Sequence, residues 1–185
     1  LHIEPPQPEA INLRLDPGLA FGTGTHPTTS LCLRWLDQNI TDQQNLLDYG
    51  CGSGILAIAA CLLGVEHADG VDIDPQALIA THDNANTNQV DDKIKTWLPE
   101  DFQQSGTAVN SQYDVVMANI LSGPLAELAP TLAAHTKTDG NVVLSGILKE
   151  QAKSVLETYS EFFEMDEPEF EEDWVLLHGR KKTDL

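Results

Sequence analysis

Residues 46–60, LLDYGCGSGILAIAA, leave this chain very few ways to fold. A short apolar run ends in three glycines at alternate positions, Gly50, Gly52 and Gly54, and a second apolar run follows. The stretch 53–64, SGILAIAACLLG, is apolar on nearly every side, so as a helix it has to be buried against other structure. Glycines lack Cβ atoms, which lets the backbone reverse sharply between strand and helix and approach a ligand closely. The segment reads as the βα turn of a sheet with helices packed on it.

The rest of the chain repeats that unit. LLDYG (46–50), HADGVDI (67–73), KIKTWLP (93–99), YDVVMANI (113–120) and NVVLSGI (141–147) read as strands, the fourth apolar on consecutive positions as a strand covered on both faces should be. Between them lie helical patterns. Pro27 suits the first turn of a helix through TTSLCLRWLDQN, with Leu31, Trp35 and Leu36 on its inner face. Asp74 and Pro75 make a good N-cap and first helical position for QALIATHDNANTN. Leu125, Leu128 and Leu132 share a face of a helix that contains Pro130, and 149–163 forms a further helix. The tail differs: FFEMDEPEFEE and DWVLLHGRK read as two successive strands with no helix between them. Five βα units followed by an antiparallel pair predict an α/β fold, a doubly wound and mostly parallel sheet. Residues 1–15, with PPQP at 5–8, form an extended lead-in, and the Gly/Thr/Pro loop DPGLAFGTGTHPTT (16–29) is too long to be a mere connector. At 185 residues one domain is expected.

In such a sheet the first βα turn lies beside the point where nucleotides bind. Asp72, 22 positions after Gly50 at the end of the second strand, can accept hydrogen bonds from both hydroxyls of a ribose. Asp74 competes for that role, but its place before Pro75 favours capping. The spacing G-x-G-x-G differs from the dinucleotide pattern G-x-G-x-x-G, Asp48 precedes it, and no Lys or Arg lies between Trp35 and Asp92. A pyrophosphate suits this acidic setting badly. S-adenosylmethionine carries an adenosine, a sulfonium and an amino-acid end without phosphate, and Asp48 suits its positive centres. Asn119, at the end of the fourth strand, would sit across from Gly50, where its amide can accept a hydrogen bond from an amine and aim the lone pair at a methyl carbon. His26 is the available candidate for a proton acceptor, though a loop histidine more often bonds structurally. Trp174 and Phe21 are candidate aromatic walls for a cationic head group, with buried packing the stronger reading for Trp174.

Composition narrows the partners. Ten basic against 29 acidic residues give a net charge of −19, eight of the acids lying in residues 161–173. This surface repels nucleic acid and attracts basic proteins. No stretch of about 20 apolar residues offers a membrane span. Cys32, Cys51 and Cys61 lack paired metal spacing and read as small buried thiols, so no metal and a cytoplasmic location are expected. Three other functions share some of these residues: an NAD-dependent oxidoreductase, a methyltransferase acting on DNA amines, and a module that binds the cofactor only as a regulator. The glycine spacing speaks against the first. The charge, and Ile-Leu after Asn119 in place of a Pro-Pro-aromatic run, speak against the second.

LDPGLAFGTGTHPTTSLCL, DYGCGSGILAIAA, GVDIDPQA and ANILSGPLAELAP, in this order, resemble the PrmA-type methyltransferases of the large-subunit ribosomal protein L-eleven, from about Leu15 to Lys181. The resemblance implies a seven-stranded sheet ending in an antiparallel hairpin. It implies S-adenosylmethionine contacts at Thr29, Gly50, Asp72 and Asn119, to which the glycine pattern adds Gly52, and methylation of lysine side-chain and N-terminal amines. Full-length members carry a further N-terminal domain that grips the substrate. Residues 1–14 are accordingly expected to be a linker from that domain, and 15–185 the methyltransferase domain.

Overall fold

The computed structural model describes residues 10–16, 25–105 and 112–183. α1 (Pro27–Asn39) starts at the proline, which forfeits no bond there because the first helical amides have no intrahelical partner, and it buries Leu31, Trp35 and Leu36. β1 (Asn45–Tyr49) and α2 (Ile55–Leu62) flank the glycine turn, and every residue from Ile55 to Cys61 is buried. β2 (His67–Val71) leads to α3 (Pro75–Thr87), capped by Asp74, whose carboxylate accepts the Gln76 amide at 2.9 Å. A 3-10 turn precedes β3 (Ile94–Trp97). A short helix not anticipated from the sequence follows, α4 (Pro99–Gln104), with Pro99 and two acids in its first turn. Then come β4 (Tyr113–Asn119), α5 (Ser122–His135), β5 (Thr136–Leu148), α6 (Lys149–Tyr159), β6 (Phe163–Met165), β7 (Glu169–Glu171) and β8 (Trp174–Lys181).

The sheet runs β3-β2-β1-β4-β5-β8-β6, with β7 also paired to β8. Its first five strands are parallel, while β8 is antiparallel to β5, β6 and β7. The doubly wound α/β class is as expected. The tail needs correction: FFEMDEPEFEE is two strands sharing one edge of β8, β7 against Trp174–Leu176 and β6 against Gly179–Lys181. Pro168 lies in the gap, where a residue without an N–H leaves the ladder. β5 also begins at Thr136, ahead of the expected Asn141. The added stretch is irregular, with Asp139 at φ +64° and the β4–β5 register slipping between Tyr113 and Val115.

Side chains alternate across β1, so Leu46 joins a core under α1, α2 and α3, while Leu47 joins one under α4, α5 and α6. The lead-in docks on α3: the Arg14 amide donates to Asn88 Oδ1 (2.8 Å), Asn88 Nδ2 donates to the Arg14 carbonyl (2.6 Å), and the Asp16 amide donates to Asn84 Oδ1 (3.0 Å). Cys32, Cys51 and Cys61 are free and buried, as expected. Burial pushes all three thiols up, Cys32 and Cys61 to about 12, which keeps them uncharged. Among the described residues no helix is long and apolar enough to cross a membrane.

Candidate functional site

Strand order reverses between β1 and β4, and a crevice forms outside the carboxyl ends of such strands. The glycine turn lies there. Gly50, Gly52 and Gly54 have φ of +85°, +53° and +82°, a region costly for residues with a Cβ. The turn is tied to the end of β2: the Gly50 and Cys51 amides both donate to the Val71 carbonyl, at 2.6 and 3.0 Å. The Gly52 amide donates to Asp72 Oδ2 (2.9 Å) and the Asp74 amide to Asp72 Oδ1 (3.0 Å). Each oxygen of the half-buried Asp72 keeps a further lone pair for a hydroxyl donor. Asp74 caps α3, as its place before Pro75 suggested.

α3 supports the turn from behind. Thr81 Oγ1 donates to the Gly52 carbonyl (3.1 Å) and Asn84 Nδ2 to the Ser53 carbonyl (2.9 Å). A Cβ on Gly54 would come within 2.8 Å of Thr81, so α3 packs directly on the bare backbone.

Asp48 lies beneath the turn at 1% exposure. Among the described residues neither of its carboxylate oxygens has a hydrogen-bond partner. Burial pushes its carboxyl up to about 7, against the opposing pull of the nearby Ala57 amide and with a smaller push from the Asp72 charge. Such a group is costly unless a positive or donating partner meets it.

At the carboxyl ends of β4 and β5, Asn119 Nδ2 donates to Thr29 Oγ1 at 3.4 Å, and Ser145 Oγ donates to the Thr28 carbonyl at 2.9 Å. The first turn of α1 is thereby pinned to the ends of β4 and β5. With Nδ2 turned to Thr29, Oδ1 of Asn119 is left as an acceptor. His26 is engaged structurally, the reading a loop histidine more often takes. It caps α1, with Nδ1 accepting the Thr28 amide (3.3 Å) and lying 2.8 Å from Thr28 Oγ1. Trp174 meets the His26 ring edge-on at 5.1 Å and packs, half-buried, on the core. Phe21, with residues 17–24 of the Gly/Thr/Pro loop, lies outside the described residues.

The five candidate residues form one continuous run of contacts. Thr29 meets Asn119, the next residue Ile120 rests on Gly50, Gly50 bonds the end of β2, and Asp72 there bonds Gly52. Among the described residues no group of three His, Cys, Asp or Glu is placed to hold a metal ion.

Residues 1–182 match the family model described as "Ribosomal protein L11 methyltransferase (PrmA)". The chain belongs to the PrmA family. Ribosomal protein L11 methyltransferases of Hahella chejuensis and Marinobacter nauticus are 53% and 54% identical to it over 96% and 97% of its length. The chain spans 59% and 58% of those two proteins. A solved ribosomal protein L11 methylase from Lactobacillus delbrueckii subsp. bulgaricus superposes with a TM-score of 0.82 at 33% identity, covering 92% of this chain and 86% of that one.

Within this PrmA-family site, Thr81 and Asn84 were not picked out from the sequence, and Gly146, in β5, was passed over as a strand residue. An alternating small or polar residue on the inner face of α3 was the available signal for the first two. Gly146 carried none beyond being a glycine in an apolar strand.

Proposed function

We propose that this PrmA-family chain is the S-adenosylmethionine-dependent unit of a protein N-methyltransferase whose substrate is ribosomal protein L11. The observation that carries the reading is Asp48: a buried, unpartnered carboxylate under a glycine turn, in a stretch from Trp35 to Asp92 without Lys or Arg. That setting disfavours a pyrophosphate and suits a ligand with positive charge and no phosphate. The names of the relatives supply the substrate.

When bound, S-adenosylmethionine supplies a methyl group on a positively charged sulfur. Asp72 would accept hydrogen bonds from the ribose hydroxyls, and Gly50 and Gly52 would leave the backbone open to close approach. Asp48, as a carboxylate, would balance the ligand's positive charge. Thr29 and Asn119 would frame the methyl-accepting side. Asn119 Oδ1 would accept a hydrogen bond from the incoming amine and so orient its lone pair. The amine must arrive neutral, since a lysine ordinarily titrates near ~10.4, and exclusion of water from the crevice favours that form. Alignment supplies much of the rate in such a displacement.

Residues 15–185 are the methyl-transfer unit in this reading and residues 1–14 a linker. The length of the relatives leaves room for a separate domain that grips the substrate. The cytoplasm, where ribosomal proteins are made, is its compartment. The test is mass spectrometry of L11 incubated with isotope-labelled S-adenosylmethionine, with this chain and with the chain joined to a relative's preceding domain. Methyl mass on amines of L11 with the longer protein supports the reading. Tight NADH binding by this chain without S-adenosylmethionine binding overturns it.

A further inference from the structure

The exit of β4 is held in two glycine notches. Because β4 lies between β1 and β5, Ile120 emerges between the ends of those two strands. On the β1 side its Cγ2 methyl rests on the bare Cα of Gly50, so that a Cβ there would collide with it. On the β5 side its peptide rests on Gly146. A Cβ on Gly146 would run into the Ile120 carbonyl oxygen, with the carbonyl carbon 2.9 Å and the amide nitrogen 3.2 Å away. Gly146 has φ of +84° and sits where the β5–β8 register slips between Leu144 and Ile147.

The two notches differ in kind. A collision with a side chain can be relieved by moving that side chain, but one with a peptide is relieved only by moving backbone. The backbone that would move here leads directly back to Asn119. The Asn119–Thr29 bond is already long at 3.4 Å, near the limit beyond which such a contact is lost.

We infer that Gly146 is a positioning residue for Asn119: its missing Cβ sets how close the exit of β4 lies to β5, and through Ile120 it aims the Asn119 carboxamide. This rests on the reading of Asn119 as the amine-orienting group. The β2 side of the turn has a tie of its own, since the Gly52 amide donates to Asp72.

Nitrogen-15 NMR of this chain tests it, with S-adenosylhomocysteine as the probe. The Asn119 side-chain amide signals, assigned by their loss in Asn119→Asp, are followed beside the backbone amides of Gly52 and Asp72 in the parent, Gly146→Ala and Gly146→Asn. In both Gly146 variants the Asn119 signals are expected to move in the free protein and to lose their response to the probe. Gly52 and Asp72 are expected to respond as in the parent, with affinity within about threefold. Asn tolerates a left-handed backbone better than Ala, so equal effects assign the cause to the Cβ contact and not to φ. Unmoved Asn119 signals, or restoration by Asn, would overturn the inference. If neither variant folds, nuclear Overhauser contacts in the parent decide: a contact between the Gly146 Hα protons and the Ile120 amide proton is expected, and its absence overturns the inference. A parent that does not respond to the probe sinks the cofactor reading, while the free-protein signals still decide the role of Gly146.

Discussion

At the scale of single residues, Asp48 makes a pH-dependent claim. Its folded carboxyl titrates at about 7, above its ordinary value of 3.8, so the folded protein holds a proton there that the unfolded chain has released. Stability should therefore fall as pH rises from about 4 through about 7, and Asp48→Asn should lack that fall. The variant is expected to gain on the parent by up to roughly 4 kcal/mol between those limits, as urea unfolding at several pH values would show. Parallel curves for the two proteins would show that the charge is met by some other group. Cofactor affinity should run the opposite way, rising with pH until about 7, because a cationic ligand needs the carboxylate. Asp72→Ala should weaken cofactor binding by about 1.5–3 kcal/mol, the value of charge-assisted hydrogen bonds to ribose, in a calorimetric titration. Unchanged affinity would remove Asp72 from the site. Asp72, Asn119 and the glycines were legible in the sequence because their place follows from local pattern, at the ends of strands. Gly146 was not, because its reason is a peptide 26 positions earlier that only the sheet brings to it. His26 takes the structural role that a loop histidine more often has, and the hydrogen bonds behind that role depend on how α1 begins.

At the scale of elements, α3 does more than connect β2 to β3. Its inner face carries Thr81 and Asn84 in place of larger apolar residues, and both satisfy carbonyls of the glycine turn. Asn84 also accepts the Asp16 amide, which fastens the lead-in to the domain. Asn84→Ala removes both bonds and leaves the Ser53 carbonyl without that donor. A loss of about 1–3 kcal/mol in urea unfolding is expected, with faster hydrogen exchange at the Asp16 amide. Unaltered stability would mean that water replaces the side chain at no cost. The strand–helix alternation was readable because buried strands and an all-apolar helix leave strong patterns. The weaker elements were not. α4 is six residues long, and the first part of β5 is irregular at Asp139. The division of the acidic tail into β6 and β7 hangs on which part of β8 each segment meets.

At the scale of the whole molecule, charge and topology act on different steps. Parallel strand order, with β4 beside β1, brings Asn119 next to the glycine turn although 69 positions separate Asn119 from Gly50. That adjacency cannot be read from periodicity, which gives elements and not their neighbours, and so the shared site could only be expected by analogy with other doubly wound sheets. On the proposed function, the net charge of −19 concerns encounter with the basic substrate, ribosomal protein L11. Salt screens such fields over about 10 Å at 0.1 M, so raising ionic strength should raise KM for L11 and leave kcat and cofactor affinity nearly unchanged. A KM that is indifferent to salt would mean that the acidic surface plays no part in capture.

The claim on which the rest depends is that the glycine turn and the Asn119–Thr29 pair face one cofactor, with its methyl group between them. S-adenosylmethionine labelled with carbon-13 in the methyl group tests this by NMR in complex with the chain. Magnetisation transfer from the labelled methyl to the side-chain amide of Asn119 and to Thr29 is the expected result. Binding with the methyl close to other residues and neither of these would contradict it.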